Sequence, residues 1–162
     1  MDVPSPEELG RRFPAVVKRI SRENRVRQKT AERWLHEAIK FLDAVADSKE
    51  PIAPSKKVDE AWHAFILHTN QYMSWCESRY GRYIHHVPTE KPDRKAYARS
   101  YNTMRRRHGD LDRRVWPAPG IGAYGVGGSC GGSGCGGDGG SCSGGSCSGA
   151  SCGGGGCGGG GN

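Results

Sequence analysis

Between Ser55 and Pro88 the chain carries its strongest helical pattern, and this pattern restricts the kind of core it can form. Ser55 predicts an N-terminal cap, one helix is expected over Val58–Tyr80, and Gly81 is placed to end it. The side chains expected to share one broad face, at spacings of three and four, are Trp62, Phe65, Ile66, Thr69, Tyr72, Met73 and Cys76. We therefore expect a long amphipathic helix followed by a loop.

Side chains with metal-binding chemistry flank this apolar face. Asp59 and His63 are four residues apart and hence neighbours on a helix, and His85 and His86 follow on the loop before Pro88. Carboxylate and imidazole groups are ligands for zinc and similar divalent ions. Asp59, His63 and either His85 or His86 therefore form a candidate metal site, with zinc as the candidate cofactor.

The same residues also have a structural interpretation, which the sequence alone favours. Their spacing matches no standard zinc signature, such as HExxH or paired CxxC. In this interpretation Asp59 caps the start of the helix and hydrogen-bonds to His63, while the loop histidines bond to backbone groups. His68 is five residues beyond His63 and is expected to point away from it.

The residues around this cluster resemble a known family. The run V-D-E-A-W-H-A-F-I-L-H-T, followed by I-H-H-V-P, resembles the glycine-rich domain-containing protein-like family, and this chain looks like a short bacterial-type member. The resemblance covers about residues 12 to 110. The further positions that carry it are Pro54, Ser55, Tyr72, Cys76 and Gly81. It implies motif positions but no catalytic role, because that family is defined by sequence and has no agreed chemistry.

Helix signals also occur on both sides of this stretch. Thr30 is expected to cap a helix over Ala31–Asp47, and Trp116 is expected to fold back on the core. The other predicted helix boundaries are Ser5, Pro14, Asp93 and His108. The predicted fold class is therefore all-α, a small domain of three or four helices around one core.

The composition changes at Gly120, after which Gly, Ser and Cys dominate. Such a segment offers few side chains to bury, so we expect a helical domain over residues 1–119 and a disordered low-complexity tail over residues 120–162. Its thiols are candidate soft-metal ligands or modification sites, and drift of a glycine-rich repeat is the favoured explanation for their spacing. These cysteines are Cys130, Cys135, Cys142, Cys147, Cys152 and Cys157.

The charge of the chain bears on its partners. The net charge is +7, and all of the positive excess lies before the tail, whose single charged residue is Asp138. Arg105, Arg106 and Arg107 could contact nucleic acid, but this partner is not favoured because no standard nucleic-acid-binding motif accompanies them. No apolar run approaches the ~20 residues of a membrane span, and the first residues have no secretory apolar core. A cytoplasmic location is therefore expected.

Our first functional hypothesis is a non-enzymatic binding or scaffold protein. The helical domain would recognise an unidentified protein partner, and the tail would provide a flexible, thiol-bearing tether. One alternative is the precursor of a ribosomally made peptide, because the tail resembles the Ser/Cys-rich core peptides of azole-containing microcins. The others are a metal-binding protein or a metal-dependent hydrolase using the Asp/His cluster. The hydrolase is less favoured because the sequence shows no nucleophile or general base beyond the ligands.

Overall fold

The structure, a computed structural model, describes residues 2–87 and 93–120. The described residues form six helices: α1 Pro6–Arg12, α2 Pro14–Asn24, α3 Gln28–Asp47, α4 Lys56–Ile66, α5 Thr69–Tyr80 and α6 Arg94–His108. These ranges contain no strand, which confirms the all-α fold class. There are more helices than the three or four expected because the chain breaks at two points within helical segments. The first break, at Phe13, separates α1 from α2, and the second, at Leu67, separates α4 from α5.

The first two helices follow the predicted signals. The Ser5 hydroxyl accepts the backbone N–H of Glu8 at 3.2 Å, and Pro6 occupies the first turn of α1. Pro14 begins a second helix directly after Phe13, because the fixed φ of proline suits a first helical position. Phe13 itself is buried against the ring of Phe65, at a centroid distance of 4.9 Å.

The predicted start of the third helix is wrong by three residues. The backbone carbonyl of Arg27 accepts the N–H groups of Thr30 and Ala31, at 2.9 and 3.0 Å. Thr30 therefore lies inside the first turn of α3 and is not its cap.

The predicted cap of the last helix is confirmed, since the Asp93 carboxylate accepts the N–H of Ala96 at 2.9 Å.

The single helix predicted over Val58–Tyr80 is also wrong. At His68 the backbone N–H donates to the carbonyl of Phe65, while the ring Nδ1 donates to the carbonyl of Ala64 at 2.8 Å. The side chain thus takes the acceptor that a continuous helix would offer to the His68 backbone, and the chain turns there. In the redirected α5, Tyr72 and Cys76 are buried as predicted, whereas Met73 is 57% exposed.

Helix α3 is central to the packing, because α1, α2, α4 and α6 all pack against it. Trp116 folds back on this core as predicted and is fully buried. Its indole N–H donates to Glu37 at 2.9 Å, and its ring stacks on Tyr97 at a centroid distance of 6.3 Å. Burial of a tryptophan after the last helix removes a large apolar area from water and ties the segment to α3.

Three of the predictions fall on parts of the chain outside the described residues. These are the turn at Pro88, the disordered tail and the candidate sites at its cysteines, and all three stay predictions. Within the described ranges, no helix has the length and apolar character needed to cross a membrane.

Candidate metal centre

Helix α4 carries two of the three side chains in the cluster. The Ser55 hydroxyl accepts the N–H of Val58 at 3.3 Å, and the Ser55 carbonyl accepts the N–H of Asp59 at 2.8 Å. This cap fixes the first turn of α4 and places Asp59 at its solvent edge. His63 follows one turn later, so its ring lies beside the Asp59 carboxylate.

The loop of residues 83–87 brings the third side chain, and α5 holds that loop in place. The Tyr72 hydroxyl donates to the carbonyl of Ile84 at 2.7 Å, and the Trp62 indole N–H donates to the same hydroxyl at 2.9 Å. Burial raises the pKa of Tyr72 well above its usual value, so the hydroxyl keeps its proton and stays a donor. Within this loop the side chain of Ile84 is buried, and two residues later the side chain of His86 contacts α4.

The cluster of Asp59, His63 and His86 is compact. His86 Nε2 donates to Asp59 Oδ1 at 2.7 Å, and His63 Nδ1 lies 3.5 Å from Asp59 Oδ2. Each residue offers one ligand atom, and these three atoms all lie within 4.8 Å of one another. The two imidazole rings are 4.3 Å apart, and the ring of Trp62 packs edge-on against His86 at 4.4 Å.

This geometry is close to that of a three-ligand metal site. Nitrogen and oxygen ligands sit about 2.1 Å from zinc, so tetrahedral ligand atoms are about 3.4 Å apart. The separation of His63 from Asp59 already matches this value. His86 Nε2 and Asp59 Oδ1 are closer than this, at 2.7 Å, so an ion would have to replace the hydrogen bond between them. The side chains of His63 and Asp59 are 44% and 35% exposed, so water can complete the coordination shell.

The sequence left open whether His85 or His86 joins the cluster, and the structure brings in His86. His85 is exposed, and its ring packs against Tyr83 at a centroid distance of 4.8 Å. The structural interpretation also differs in detail from the geometry. Ser55 rather than Asp59 supplies the side-chain cap of α4, and His86 bonds to a carboxylate rather than to the backbone.

The hydrogen-bonded chain from Trp62 through Tyr72 to Ile84 is the feature that sequence reasoning missed. Trp62 and Tyr72 are ten residues apart, which a continuous helix would separate by about 15 Å along its axis. The turn at His68 is what lets their side chains meet. The candidate sites at the tail cysteines, from Cys130 to Cys157, lie outside the described residues and stay predictions.

Comparison with known proteins gives one family. The model of the family described as UCP032817-like matches residues 11–110, a range that contains all three residues of the cluster. The resemblance to the glycine-rich domain-containing protein-like family is therefore wrong, because the residues that suggested it match this other family instead. No match was found among curated proteins or among solved structures.

Proposed function

The chain belongs to the UCP032817-like family, and we propose that its helical domain is a binding module that holds a divalent ion of the zinc class. The observation that carries the proposal is the convergence of Asp59, His63 and His86, with ligand atoms within 4.8 Å of one another. One carboxylate and two imidazoles are a ligand set used for zinc and related ions. Two helices and a loop position them, so the site depends on the folded domain.

The residues around the cluster also fit a metal site. Metal-bound imidazoles are usually oriented by neighbouring groups, and here the ring of Trp62 packs against His86 while Tyr72 holds its loop. An ion at this point would join the loop of residues 83–87 to α4. Its binding energy would then add to the stability of the folded domain.

Binding is favoured over hydrolysis by the exposure of the cluster. A catalytic metal works best in an enclosed site from which bulk water is excluded, and the side chains of Asp59 and His63 are each more than a third exposed. The scaffold hypothesis, with an unidentified protein partner in the cytoplasm, is compatible with this proposal and stays a prediction. The peptide-precursor hypothesis depends on the tail and also stays a prediction.

Zinc binding to the full chain tests the proposal once the tail thiols are blocked with an alkylating reagent. Equilibrium dialysis at neutral pH should then give about one ion per chain, as one three-ligand site requires. His63→Ala and His86→Ala should each weaken binding by more than about tenfold, because loss of a ligand costs at least as much as loss of its supporting partner.

His85→Ala is the matched control, since it removes a neighbouring imidazole that lies outside the cluster. It should leave the affinity for zinc unchanged. Absence of binding in the unsubstituted chain, or an equal loss from His85→Ala and His86→Ala, would contradict the proposed site.

A further inference from the structure

A groove of about 680 Å³ lies between α6 and the linker that follows α3, in a different part of the domain from the metal cluster. Its lining is predominantly polar and cationic. The residues that matter for its chemistry are Lys49, Arg99, Asn102, Thr103, Arg105 and Arg106. One carboxylate, that of Glu50, accompanies the four cations.

The linker wall of this groove is held in place by α6. The Ser100 hydroxyl donates to the carbonyl of Ala53 at 2.6 Å and accepts the Ala53 N–H at 2.8 Å. The Arg99 guanidinium donates from Nε and Nη2 to the carbonyl of Pro51, at 3.0 and 2.8 Å. These contacts from two adjacent residues of α6 thus set the width of the groove before a ligand enters, which lowers the entropic cost of binding.

Most of the positive charge in the groove is not neutralised by any of the residues that the structure describes. Arg99 lies 3.5 Å from Glu50, in a pair whose glutamate side chain is 73% exposed. Arg107, just outside the groove, is paired with Asp47 at 2.8 Å. Within the described part of the chain, Lys49, Arg105 and Arg106 have no carboxylate partner. The groove therefore presents an excess of cationic donors to solvent.

We propose that this groove binds the phosphate groups of a nucleic-acid strand. Arg99, Asn102 and Arg106 lie on successive turns of one face of α6, over about 10 Å of helix axis. That length is enough to contact neighbouring phosphates of one strand, whose axial rise in a duplex is about 3.4 Å each. The guanidinium groups of Arg105 and Arg106 can bind phosphate oxygens with paired hydrogen bonds, whereas Arg99, whose Nε and Nη2 already donate to Pro51, contributes mainly its charge. The hydroxyl of Thr103 and the amide of Asn102 add neutral donors.

The residues that line the groove also determine whether it can distinguish one nucleic-acid sequence from another. The described lining holds no aromatic ring on which a base could stack. Contacts to phosphate position a strand but carry no sequence information by themselves. The groove should therefore bind RNA or DNA with little preference for sequence and with a strong dependence on salt.

Fluorescence anisotropy with a labelled single-stranded RNA and the unmodified full chain tests this assignment. The triple variant Lys49→Gln, Arg105→Gln and Arg106→Gln should bind at least about tenfold more weakly at low salt, because phosphate contacts supply nearly all non-specific affinity. The slope of log affinity against log salt should fall in magnitude by about 2, since each lost contact to a single strand removes roughly 0.7.

A control variant with the same loss of charge distinguishes the effect of contacts in the groove from the effect of net charge on affinity. Arg11→Gln, Arg22→Gln and Lys29→Gln remove three exposed cations that lie outside the groove. This control should lose less than about threefold in affinity, as expected for long-range attraction alone. Chelation of divalent ions should leave binding by the unsubstituted chain unchanged, which keeps this test independent of the metal site.

Three results would overturn the assignment. One is absence of RNA and DNA binding at low salt, and another is an equal loss of affinity in the groove variant and the control. The third is evidence that the groove binds a different anionic ligand. Such evidence would be displacement of the RNA by a free nucleoside triphosphate at micromolar concentration, or preferential binding to anionic vesicles.

Discussion

At the scale of single residues, two histidines outside the metal cluster should control the acid stability of the domain. Burial lowers the pKa values of His36 and His108, and the nearby Lys40 lowers both further. Lys40 is held there by Glu37 at 2.9 Å, and Glu37 also accepts the indole N–H of Trp116. The folded state therefore favours the neutral form of both imidazoles more than the unfolded chain does.

We expect the free energy of unfolding to fall as the pH is lowered from 7.5 to 5. The unfolded histidines take up protons near pH 6.5, before the folded ones do, so their stabilising contribution is complete above that pH and is lost as the pH falls through the folded pKa values. Denaturant unfolding with chelator present measures this change without the metal site. The double variant His36→Gln and His108→Gln should reduce the slope, and an unchanged slope would contradict the assignment.

At the scale of helices, two C-terminal ends adopt the same left-handed conformation with different residues. Helix α5 ends at Gly81 with φ of 62°, and α2 ends at Arg25 with φ of 52°. A Cβ built at Gly81 would meet nothing within 4 Å, so any cost of a side chain there comes from the backbone alone. Glycine accepts this conformation readily, whereas arginine is strained in it.

Substitutions at the two ends should change stability in opposite directions. Gly81→Ala should lower the free energy of unfolding by about 1–2 kcal/mol, the cost of the left-handed conformation for an L-residue. Arg25→Gly should raise it by up to about 1 kcal/mol, because relief of strain exceeds the added entropy of the unfolded glycine. Denaturant unfolding measures both, with Arg25→Ala as the control for loss of the guanidinium. A stabilising Gly81→Ala would refute this account of the helix ends.

At the scale of the whole molecule, the cysteines divide by burial. Cys76 is fully buried on α5, while the other six lie in the Gly/Ser-rich tail outside the described residues. Thiol reactivity depends on access and on the thiolate fraction, so Cys76 should resist alkylation in the folded chain. We predict that all six tail thiols react rapidly in the reduced native protein, because the Gly/Ser-rich sequence around them offers few apolar side chains to cover them.

Intact mass after alkylation measures this division and separates the functional hypotheses. Six rapid additions and a seventh only after denaturation are expected for a plain thiol-bearing tail. Protection that a chelator removes would indicate a soft-metal complex in the tail. Permanent protection with a mass deficit within residues 129–157 would favour the peptide-precursor hypothesis over the binding module.

The sequence by itself determined the helical class and most local boundaries, because these depend on neighbouring residues. The caps at Ser5, Ser55 and Asp93 and the left-handed end at Gly81 are all where the pattern predicts them. Burial of Trp116 was also predictable, since an indole after the last helix has no other way to leave water. The pairing of Asp59 with His63 likewise follows from one helical turn.

Only the tertiary structure decided which loop histidine completes the cluster. His85 and His86 are chemically identical neighbours, and the choice depends on how residues 83–87 are held rather than on their sequence. Tyr72 holds them, and it can do so only because the chain turns at His68, where the imidazole competes with the backbone for one carbonyl. Helical periodicity continues through that turn unchanged, and the side-chain hydrogen bond that breaks the helix carries no periodic signal.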